Sequence, residues 1–470
     1  MPSFSRLIII QVVVILTSAL YNFFTKYFDD TVCSKDPPIT LKLKNDEEQV
    51  YSWDDTCQLY SLDYKEARSK FRAAIQLYEN VETFSFPVAI DSSNEPLTID
   101  VAIFPGNTQE YGTIVHSSGL HGVEGYAGSA IQLALLQKDV LPLSGNNRPT
   151  IIFLHALNPV GMQEHRRSNE NNVDLNRNSI HGNMEDFVNR RDPNIANYDS
   201  FRRFLSPTDP DGFFIDPTPW YRTVGIWINL LPQLYKYGFV ALKRAMVSGQ
   251  YHHPRGIFYG GKELQPSLQH IQFFWNQRSD LFRDAPSLVW IDVHTGLGPF
   301  GKDSIHYHAT SPNGAISRFR QTAAELHNQH FFTSHSVTTS VTQGETSEAF
   351  VGYDLTKGMM TSFFAKAYNG SGLFITQEFG TLPAILVGRG LILDNMLYQE
   401  NIRSKTKPSD GSTTQSVGSG RQDHSYRSPF LLNVFFPQST TWRASVVRRG
   451  VALVVQCLQM SSKANTSSYL

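Results

Sequence analysis

The feature that most limits how this chain can fold is an alternation of strand-like and helix-like runs that begins near residue 111. The apolar run TIVHSSG precedes the helix-like run YAGSAIQLALLQ, and GLFITQEFG precedes PAILVGRGLILDNMLYQ. Further apolar strands are predicted at PTIIFLHALNP and APSLVWIDVHTG. Apolar strands separated by amphipathic helices are typical of a sheet covered on both faces. The sequence therefore predicts a three-layer α/β/α sandwich with a mixed, mostly parallel central sheet.

The segments before and after this alternation define the predicted organisation of the chain. A helix is predicted at DYKEARSKFRAAIQLYENV, and TFSFPVAI and LTIDVAIFPG are predicted to pair as a hairpin. We predict a linker segment at 25–65, one domain at 66–460 and a tail at 461–470. Residues 179–290 are interpreted as helices and long loops beside the sheet, and the Ser/Gly/Thr-rich residues 404–425 as a flexible loop.

The N-terminal residues 1–24 carry an apolar run, residues 7–24, directly after Arg6. This arrangement is typical of a secretory signal peptide, and the run is also long enough for an uncleaved signal anchor. A buried core helix is the alternative. We therefore predict a secreted protein or a single-pass membrane protein with its main domain outside the cytosol.

Cysteines and glycosylation sequons fit the same prediction. Cys33 and Cys57 are close enough in sequence to pair as a disulfide in an oxidising compartment. Cys457 lies in an apolar, helix-like stretch and is predicted to be a buried thiol. The tripeptides at Asn369 and Asn465 match the N-glycosylation sequon, which predicts a glycoprotein.

Composition and missing motifs exclude several classes of function. Of the 470 residues 41% are hydrophobic, which is ample for a large core, and the formal net charge is −1. The sequence has no excess of basic residues, which would be expected if nucleic acid were a partner. The sequence contains no GxSxG elbow of a serine hydrolase and no Walker loop.

Polar side chains follow the predicted strands in a way that points to one shared site. In open α/β sheets, ligands bind where the carboxyl ends of the strands meet. Six such side chains come from four strand ends or the loops after them: His121, Glu124, Asn176, Arg177, His294 and Glu378. Each of them alone has a simpler interpretation, such as a solvent-facing pair or a polar turn. Their joint occurrence favours a shared site.

The donor types in this set match a hydrolytic zinc site. Such a site takes three nitrogen or carboxylate ligands from the protein and keeps a position open for water. His121, Glu124 and His294 supply two imidazoles and one carboxylate, and they predict a site for one zinc ion. Glu378 is then a remaining carboxylate that can act as a general base.

The motifs HGVE, NPVG, RSN, VDLNRN, DVHTG and EFGT, in this order, resemble the zinc carboxypeptidase (M14) superfamily. The similarity is strongest to its branch known as DUF2817, which GQYHHPRGIFYGG and FFPQSTTW also resemble. The resemblance covers about residues 70–450. It implies a metallocarboxypeptidase-like zinc hydrolase that cleaves an amide bond beside a free carboxylate, with a peptide or an acylated amino acid as substrate.

The resemblance also implies roles for residues at matching positions. Arg167 would stabilise the oxyanion, with the neighbouring Arg166 as the alternative. Asn176 and Arg177 would bind the terminal carboxylate of the substrate. Asp174 would orient the first zinc histidine. The superfamily's active-site tyrosine has two candidates here, Tyr259 and Tyr353.

Three other functions remain open at this point. The motif DVHTG also resembles the deacylases that remove acyl groups from amino acids. A non-catalytic, carboxypeptidase-like binding module would not require all of His121, Glu124, His294 and Glu378. A membrane-tethered structural protein would bind no zinc.

Overall fold

The computed structural model describes residues 39–42, 48–51, 56–138, 140–206, 224–309, 319, 336–339, 353–406 and 426–463. The predicted signal segment 1–24 lies outside the described residues, as do Cys33 of the predicted disulfide and the sequon at Asn465. Within the described part of the chain, no helix combines the length and the apolar character that crossing a membrane requires.

Ten strands are described, and they are numbered in chain order. They are β1 Ile39–Lys42, β2 Glu48–Tyr51, β3 Glu82–Ile90, β4 Pro96–Phe104, β5 Thr113–Ser117, β6 Thr150–His155, β7 Ser287–Phe300, β8 Asp303–Ala309, β9 Ser336–Thr339 and β10 Ser371–Gly380.

The helices of the described residues are likewise numbered in chain order. They are α1 Thr56–Leu59, α2 Tyr64–Ile75, α3 Thr108–Tyr111, α4 Gly125–Leu135, α5 Pro159–Gln163, α6 Met184–Arg190, α7 Arg202–Leu205, α8 Ile226–Tyr237, α9 Phe239–Val247, α10 Pro266–Gln277, α11 Met360–Ala367, α12 Ala384–Thr406, α13 Leu431–Phe435 and α14 Thr440–Lys463.

The central sheet has the strand order β3-β4-β6-β5-β7-β10-β8-β9. Its inner strands β6, β5, β7 and β10 run parallel. The pairs β3–β4, β4–β6 and β10–β8 are antiparallel, and β8 pairs parallel with the edge strand β9. The predicted hairpin is confirmed as β3 and β4. The predicted mixed, mostly parallel α/β sheet is also confirmed, and it brings the carboxyl ends of β5, β7 and β10 to one edge.

Helices cover the sheet on both faces. On one face, α2, α4 and α14 enclose a core of side chains such as Phe71, Ile131 and Val447. On the other face, α10 and α11 pack with Trp290 of β7 in a second core. The fully buried helix α4 lies between the sheet and α14, which explains its Ala- and Gly-rich sequence.

The helix α2 shows how the local sequence produces this packing. Its apolar residues recur at helical spacing, and this face is buried. Asp63 caps its start by accepting a hydrogen bond from the Lys65 N–H at 2.8 Å. The packed core begins before the predicted domain boundary at residue 66, because Leu59 and Tyr60 are buried in the same core.

Further predictions from the sequence concern the C-terminal part of the domain. Cys457 is confirmed as a buried thiol. The helix α12 continues through residues 404–406, so the predicted loop begins no earlier than 407, and residues 407–425 lie outside the described residues. Asn369 is exposed at the turn before β10, while its glycosylation stays a prediction.

Asp100 on β4 ties α2 to the sheet and gives a testable contribution to stability. Its carboxylate accepts hydrogen bonds from Arg72, at 2.7 and 2.8 Å, and from Ser85 and Thr98, both at 2.8 Å. Burial alone would raise the pKa of Asp100, but these bonds and the charge of Arg68 outweigh it and lower the pKa to about 2. Because the folded-state pKa is depressed, the stabilisation is complete above the unfolded-state pKa and is lost as the pH falls.

We expect Asp100→Asn to lower the free energy of unfolding by about 2 kcal/mol at pH 7. The difference in the free energy of unfolding between wild type and variant should shrink to about half at pH 3, because Asp100 of the unfolded wild-type protein is then largely protonated. Urea unfolding at the two pH values measures both. Asp186→Asn, at an exposed position of α6, is the control and should change little. A loss for Asp100→Asn that is the same at both pH values would contradict the role of charge.

Candidate metal centre

The turn after β5 brings His121 and Glu124 together. Gly119 has a φ of +71°, which favours glycine, and a Cβ on Gly122 would lie 2.0 Å from the carbonyl carbon of Gly161. The short 3-10 helix Gly122–Glu124 then turns the chain into α4. As a result His121 Nδ1 lies 3.0 Å from Glu124 Oε1, and both side chains are buried.

His294 joins this pair from β7. Its Nδ1 lies 3.0 Å from His121 Nδ1 and 3.1 Å from Glu124 Oε2. The prediction that His294 ends its strand was wrong, because β7 runs on to Phe300. The extension of β7 still pairs with β10, since Phe300 lies opposite Gly380 after a shift in register between Phe379 and Gly380.

These three residues offer ligand atoms that all lie within 4.8 Å of one another. Two imidazole nitrogens and a carboxylate that converge on one buried point are the donor set of a hydrolytic zinc site. The outer nitrogens of both imidazoles face carboxylates. The residues present therefore fit a single zinc ion, held by His121 Nδ1, Glu124 and His294 Nδ1.

Two further carboxylates orient the imidazoles. Asp174 Oδ1 lies 3.2 Å from His121 Nε2, which is where the resemblance places it. Asp292 Oδ2 lies 2.6 Å from His294 Nε2, and its other oxygen accepts a hydrogen bond from the Ser117 hydroxyl at 2.6 Å. Such partners fix the tautomer and the ring orientation of metal-binding histidines. Asp292 was not predicted as part of the site, although residues two apart on a strand, such as Asp292 and His294, lie on the same face.

Arg167, and not Arg166, faces the candidate metal centre. The Arg167 guanidinium donates to Asp174 Oδ2 at 3.0 Å and to Glu124 Oε1 at 3.2 Å. Arg166 instead pairs with Asp394, at 3.1 Å, and stacks on the ring of Tyr398. Between the two alternatives, the structure thus leaves Arg167 as the cation beside the site.

Asn176 and Arg177 lie in the 3-10 helix Leu175–Arg177 and line the same cavity. The Arg177 guanidinium is fixed by hydrogen bonds to backbone carbonyls, donating from Nε and Nη2 to Val247 O at 2.9 and 2.6 Å and from Nη1 to Asn176 O. The Asn176 side chain accepts from the Met360 N–H at 3.0 Å. No carboxylate contacts Arg177 directly within the described residues, and its planar fork is held rigidly at the cavity wall.

Glu378 projects from β10 into the same cavity, directly opposite His294 in the register of the parallel strands. Its Oε1 accepts a hydrogen bond from the Leu297 N–H at 2.9 Å. Burial, with the negative charge of Glu124 added to it, raises the pKa of Glu378 to about 7, against the opposing effects of His294, Leu297 and Arg167. A partly buried carboxylate with a raised pKa is suited to taking up and releasing a proton.

Comparison with known families shows to which family the chain belongs. The model of the family described as "Protein of unknown function (DUF2817)" matches residues 60–449. The chain belongs to the DUF2817 family. No curated protein matches it by sequence.

Three solved structures are examples of what this member of the DUF2817 family is similar to. Bovine thrombin-activatable fibrinolysis inhibitor, in complex with tick carboxypeptidase inhibitor, is 12% identical, with a TM-score of 0.38 over 73% of this chain and 98% of its own. Carboxypeptidase A from Helicoverpa armigera is 11% identical, with a TM-score of 0.41 over 90% and 83%. The murein-tripeptide amidase MpaA from Escherichia coli O157 is 15% identical, with a TM-score of 0.30 over 71% and 94%. The function must be inferred from the side chains of the site itself.

Of the two tyrosine candidates, only Tyr353 lines the cavity. The centre of the Tyr353 ring lies 5.7 Å from the guanidinium carbon of Arg177. Burial raises the pKa of Tyr353 to about 12, so its hydroxyl stays protonated and able to donate. Tyr259 is placed elsewhere, with its backbone carbonyl accepting from the Asp174 N–H at 2.7 Å. Tyr353 is therefore the tyrosine positioned to contact a bound molecule.

Sequence analysis also missed most of the cavity wall. His306, for which no role was predicted, is buried on β8 and lines the cavity. The cavity measures about 1290 Å³ including its open mouth. Much of its lining is apolar and comes from α8, α9 and α12, whose sequences carry no motif that marks them as part of a site. Phe435 of α13, the first residue of the motif FFPQSTTW, also lines the cavity.

Asp292 gives a prediction that separates metal binding from folding. We expect Asp292→Asn to weaken zinc binding about 10- to 100-fold, because an amide orients and polarises the His294 imidazole less well than a carboxylate. Competition with a chromophoric chelator measures the affinity. Asp394→Asn is the matched control, since Asp394 is equally buried but pairs with Arg166 away from the cavity. Equal zinc affinities in wild type and Asp292→Asn would contradict this role.

Proposed function

We propose that this protein is a zinc-dependent hydrolase that cleaves an amide bond next to a free carboxylate. The observation that carries the proposal is that one cavity holds the His121–Glu124–His294 cluster, the Glu378 carboxylate and the Arg177 guanidinium. A zinc ion bound by the cluster would activate a water molecule and polarise the scissile carbonyl. The other roles fall to side chains of the chain itself.

Glu378 is placed to move the proton of the reaction. It accepts a proton from the attacking water and transfers it to the nitrogen that leaves, so that the C–N bond breaks without releasing a free amide anion. The Leu297 N–H holds one carboxylate oxygen in place while the other faces the cavity. Gly296, whose φ is +142°, precedes Leu297 and allows the backbone to turn toward Glu378.

Arg167 and Arg177 take different parts of the substrate in this proposal. Arg167 lies against Glu124 and Asp174 beside the metal cluster, where a positive charge favours the negative oxygen that develops on the carbonyl. Arg177 presents a fixed planar fork, which matches a carboxylate in a bidentate arrangement. Asn176 and Tyr353 line the cavity beside Arg177 and can add neutral hydrogen bonds.

The experiment that tests this proposal measures zinc content and then substrate preference. We expect one zinc ion per chain, and hydrolysis of a mixed library of peptides and N-acyl amino acids in which the residue with the free carboxylate is released. Blocking that carboxylate as an amide should lower kcat/KM about 100-fold, because the charge-assisted contacts with Arg177 are lost. Monitoring both ends of each substrate shows which bond is cleaved.

A matched pair of variants locates this preference. In Arg177→Gln the preference for the free acid over its amide should largely disappear. Arg191→Gln is the control, because Arg191 also donates to a backbone carbonyl and lies over aromatic rings but does not line the cavity. A zinc-loaded protein that hydrolyses no member of the library would overturn the proposal and leave a binding module as the better description.

A further inference from the structure

The part of the cavity beyond the polar site is an extended apolar wall. Three helices, α8, α9 and α12, contribute most of its aliphatic and aromatic side chains, and none of the motifs quoted above includes them. The contributing residues include Leu230 of α8, Phe239, Leu242 and Met246 of α9, and Ile385 and Leu391 of α12. The wall therefore offers apolar contacts along several helices and not at one point only.

The helix α9 runs along this wall from the rim of the cavity to its inner end. Phe239 at its start lines the cavity and is 44% exposed, so it lies at the rim. Lys243, one turn further, also lines the cavity and interacts electrostatically with Glu378. Val247 at its end accepts the hydrogen bonds of Arg177. With a rise of 1.5 Å per residue, Phe239 and Val247 are roughly 12 Å apart along the axis.

This order places Phe239 and Val247, whose carbonyl holds Arg177, at opposite ends of α9. A substrate whose carboxylate reaches Arg177 and which extends along α9 would direct the acyl group beyond its amide toward Phe239. A large apolar side chain on the amino-acid part would instead lie on the Arg177 side. The geometry therefore favours an apolar group on the acyl side of the amide.

Exposed large hydrophobic residues also lie near Phe239 in the chain, namely Ile228 and Leu231 on α8 and Val240 on α9.

We propose that the substrate is an N-acyl amino acid with a long, unbranched acyl chain that lies along α9 toward Phe239. The inference rests on the proposed function and specifies its substrate. Water adds to the acyl carbonyl, the C–N bond breaks, and the proton taken from water goes to the leaving nitrogen. The products are a long-chain carboxylic acid and a free amino acid.

A chain-length series tests the proposal. With acetyl, hexanoyl, octanoyl and dodecanoyl derivatives of one amino acid, we expect kcat/KM to rise at least tenfold from acetyl to octanoyl, since each buried methylene contributes about fourfold. A second series keeps the acyl group as acetyl and varies the amino acid from alanine to phenylalanine. That series should change kcat/KM much less. The opposite result would assign the apolar wall to the amino-acid side chain and overturn the proposal.

Two variants at the wall sharpen the test. Phe239→Ser should lower kcat/KM for the dodecanoyl substrate at least tenfold and for the acetyl substrate less than threefold. Gly388→Leu should do the same by filling the cavity, because a side chain there points at Met246. Phe273→Ser on α10 is the matched control, since Phe273 is 56% exposed but does not line the cavity. It should leave both substrates unaffected.

A binding measurement separates this proposal from the proposed function. Calorimetry on zinc-loaded Glu378→Gln protein reports the affinity for acetyl and dodecanoyl derivatives without turnover. Tighter binding of the longer chain by at least tenfold supports the inference even if hydrolysis is absent, which would instead count against the proposed function. Equal affinity across the series, or an equal effect of Phe239→Ser on both substrates, would overturn the inference while hydrolysis itself could still be observed.

Discussion

Glu378→Gln is expected to lower kcat about 10²- to 10⁴-fold while the protein keeps its zinc, because an amide cannot take up the proton that a general base accepts. The fold should survive, since the glutamine oxygen can still accept the hydrogen bond from the Leu297 N–H that Glu378 Oε1 accepts at 2.9 Å. The proposed zinc ligands are other residues, so metal content should stay at one ion per chain. Steady-state hydrolysis and metal analysis on the same sample give both values.

The matched control for this variant changes the same functional group at a distance from the cavity. Glu82→Gln is this control, because Glu82 lies on the edge strand β3 and pairs with Arg278 at the surface. It should retain wild-type kcat. Full activity in Glu378→Gln would remove Glu378 from the mechanism, and loss of zinc together with activity would show that the residue acts as a ligand and not as a base.

The predicted meeting of His121, Glu124, His294 and Glu378 follows from a general property of parallel sheets. Strands that run side by side end at the same edge, so polar residues after several strands converge whatever their separation in sequence. The pairing of Glu378 with His294 in the register of β7 and β10 is a direct case. For this reason the sheet and the core of the site were predictable without coordinates.

Other parts of the site depend on which way a side chain points, and adjacent residues differ in this. Arg166 and Arg167 are neighbours, yet one pairs with Asp394 and the other with Asp174. Nothing local in the sequence distinguishes them, because Asp394 lies on α12, far along the chain. The strand bearing His294 likewise continues past the site for reasons of pairing with neighbouring strands.

The apolar wall was unpredictable for a different reason. Its residues on α8, α9 and α12 show ordinary helical spacing, which equally well predicts packing against a core. Only the positions of these helices relative to the carboxyl edge of the sheet turn part of that apolar surface into the lining of a cavity. Sequence periodicity identifies buried faces but does not tell a core from a pocket.

Removal of zinc is expected to abolish hydrolysis and to lower the stability of the folded protein in a way that depends on Glu124. A ligand that binds only the folded state stabilises it by about 4 kcal/mol when its free concentration is a thousand times Kd. Glu124 accepts hydrogen bonds from the Thr295 N–H at 3.0 Å and from Arg167 at 3.2 Å, and it lies between both histidines. It is therefore the ligand on which the arrangement of the others depends.

We expect a chelator to lower the Tm of the wild-type protein and added zinc to restore both Tm and activity. Glu124→Gln should lose zinc and activity, and its Tm should no longer respond to chelator or zinc. Glu378→Gln is the internal control, because it changes a carboxylate in the same cavity but should keep the full response of Tm to chelation. Scanning calorimetry with and without chelator decides between the outcomes. A wild-type Tm that is indifferent to chelator and zinc would mean that His121, Glu124 and His294 meet without holding an ion.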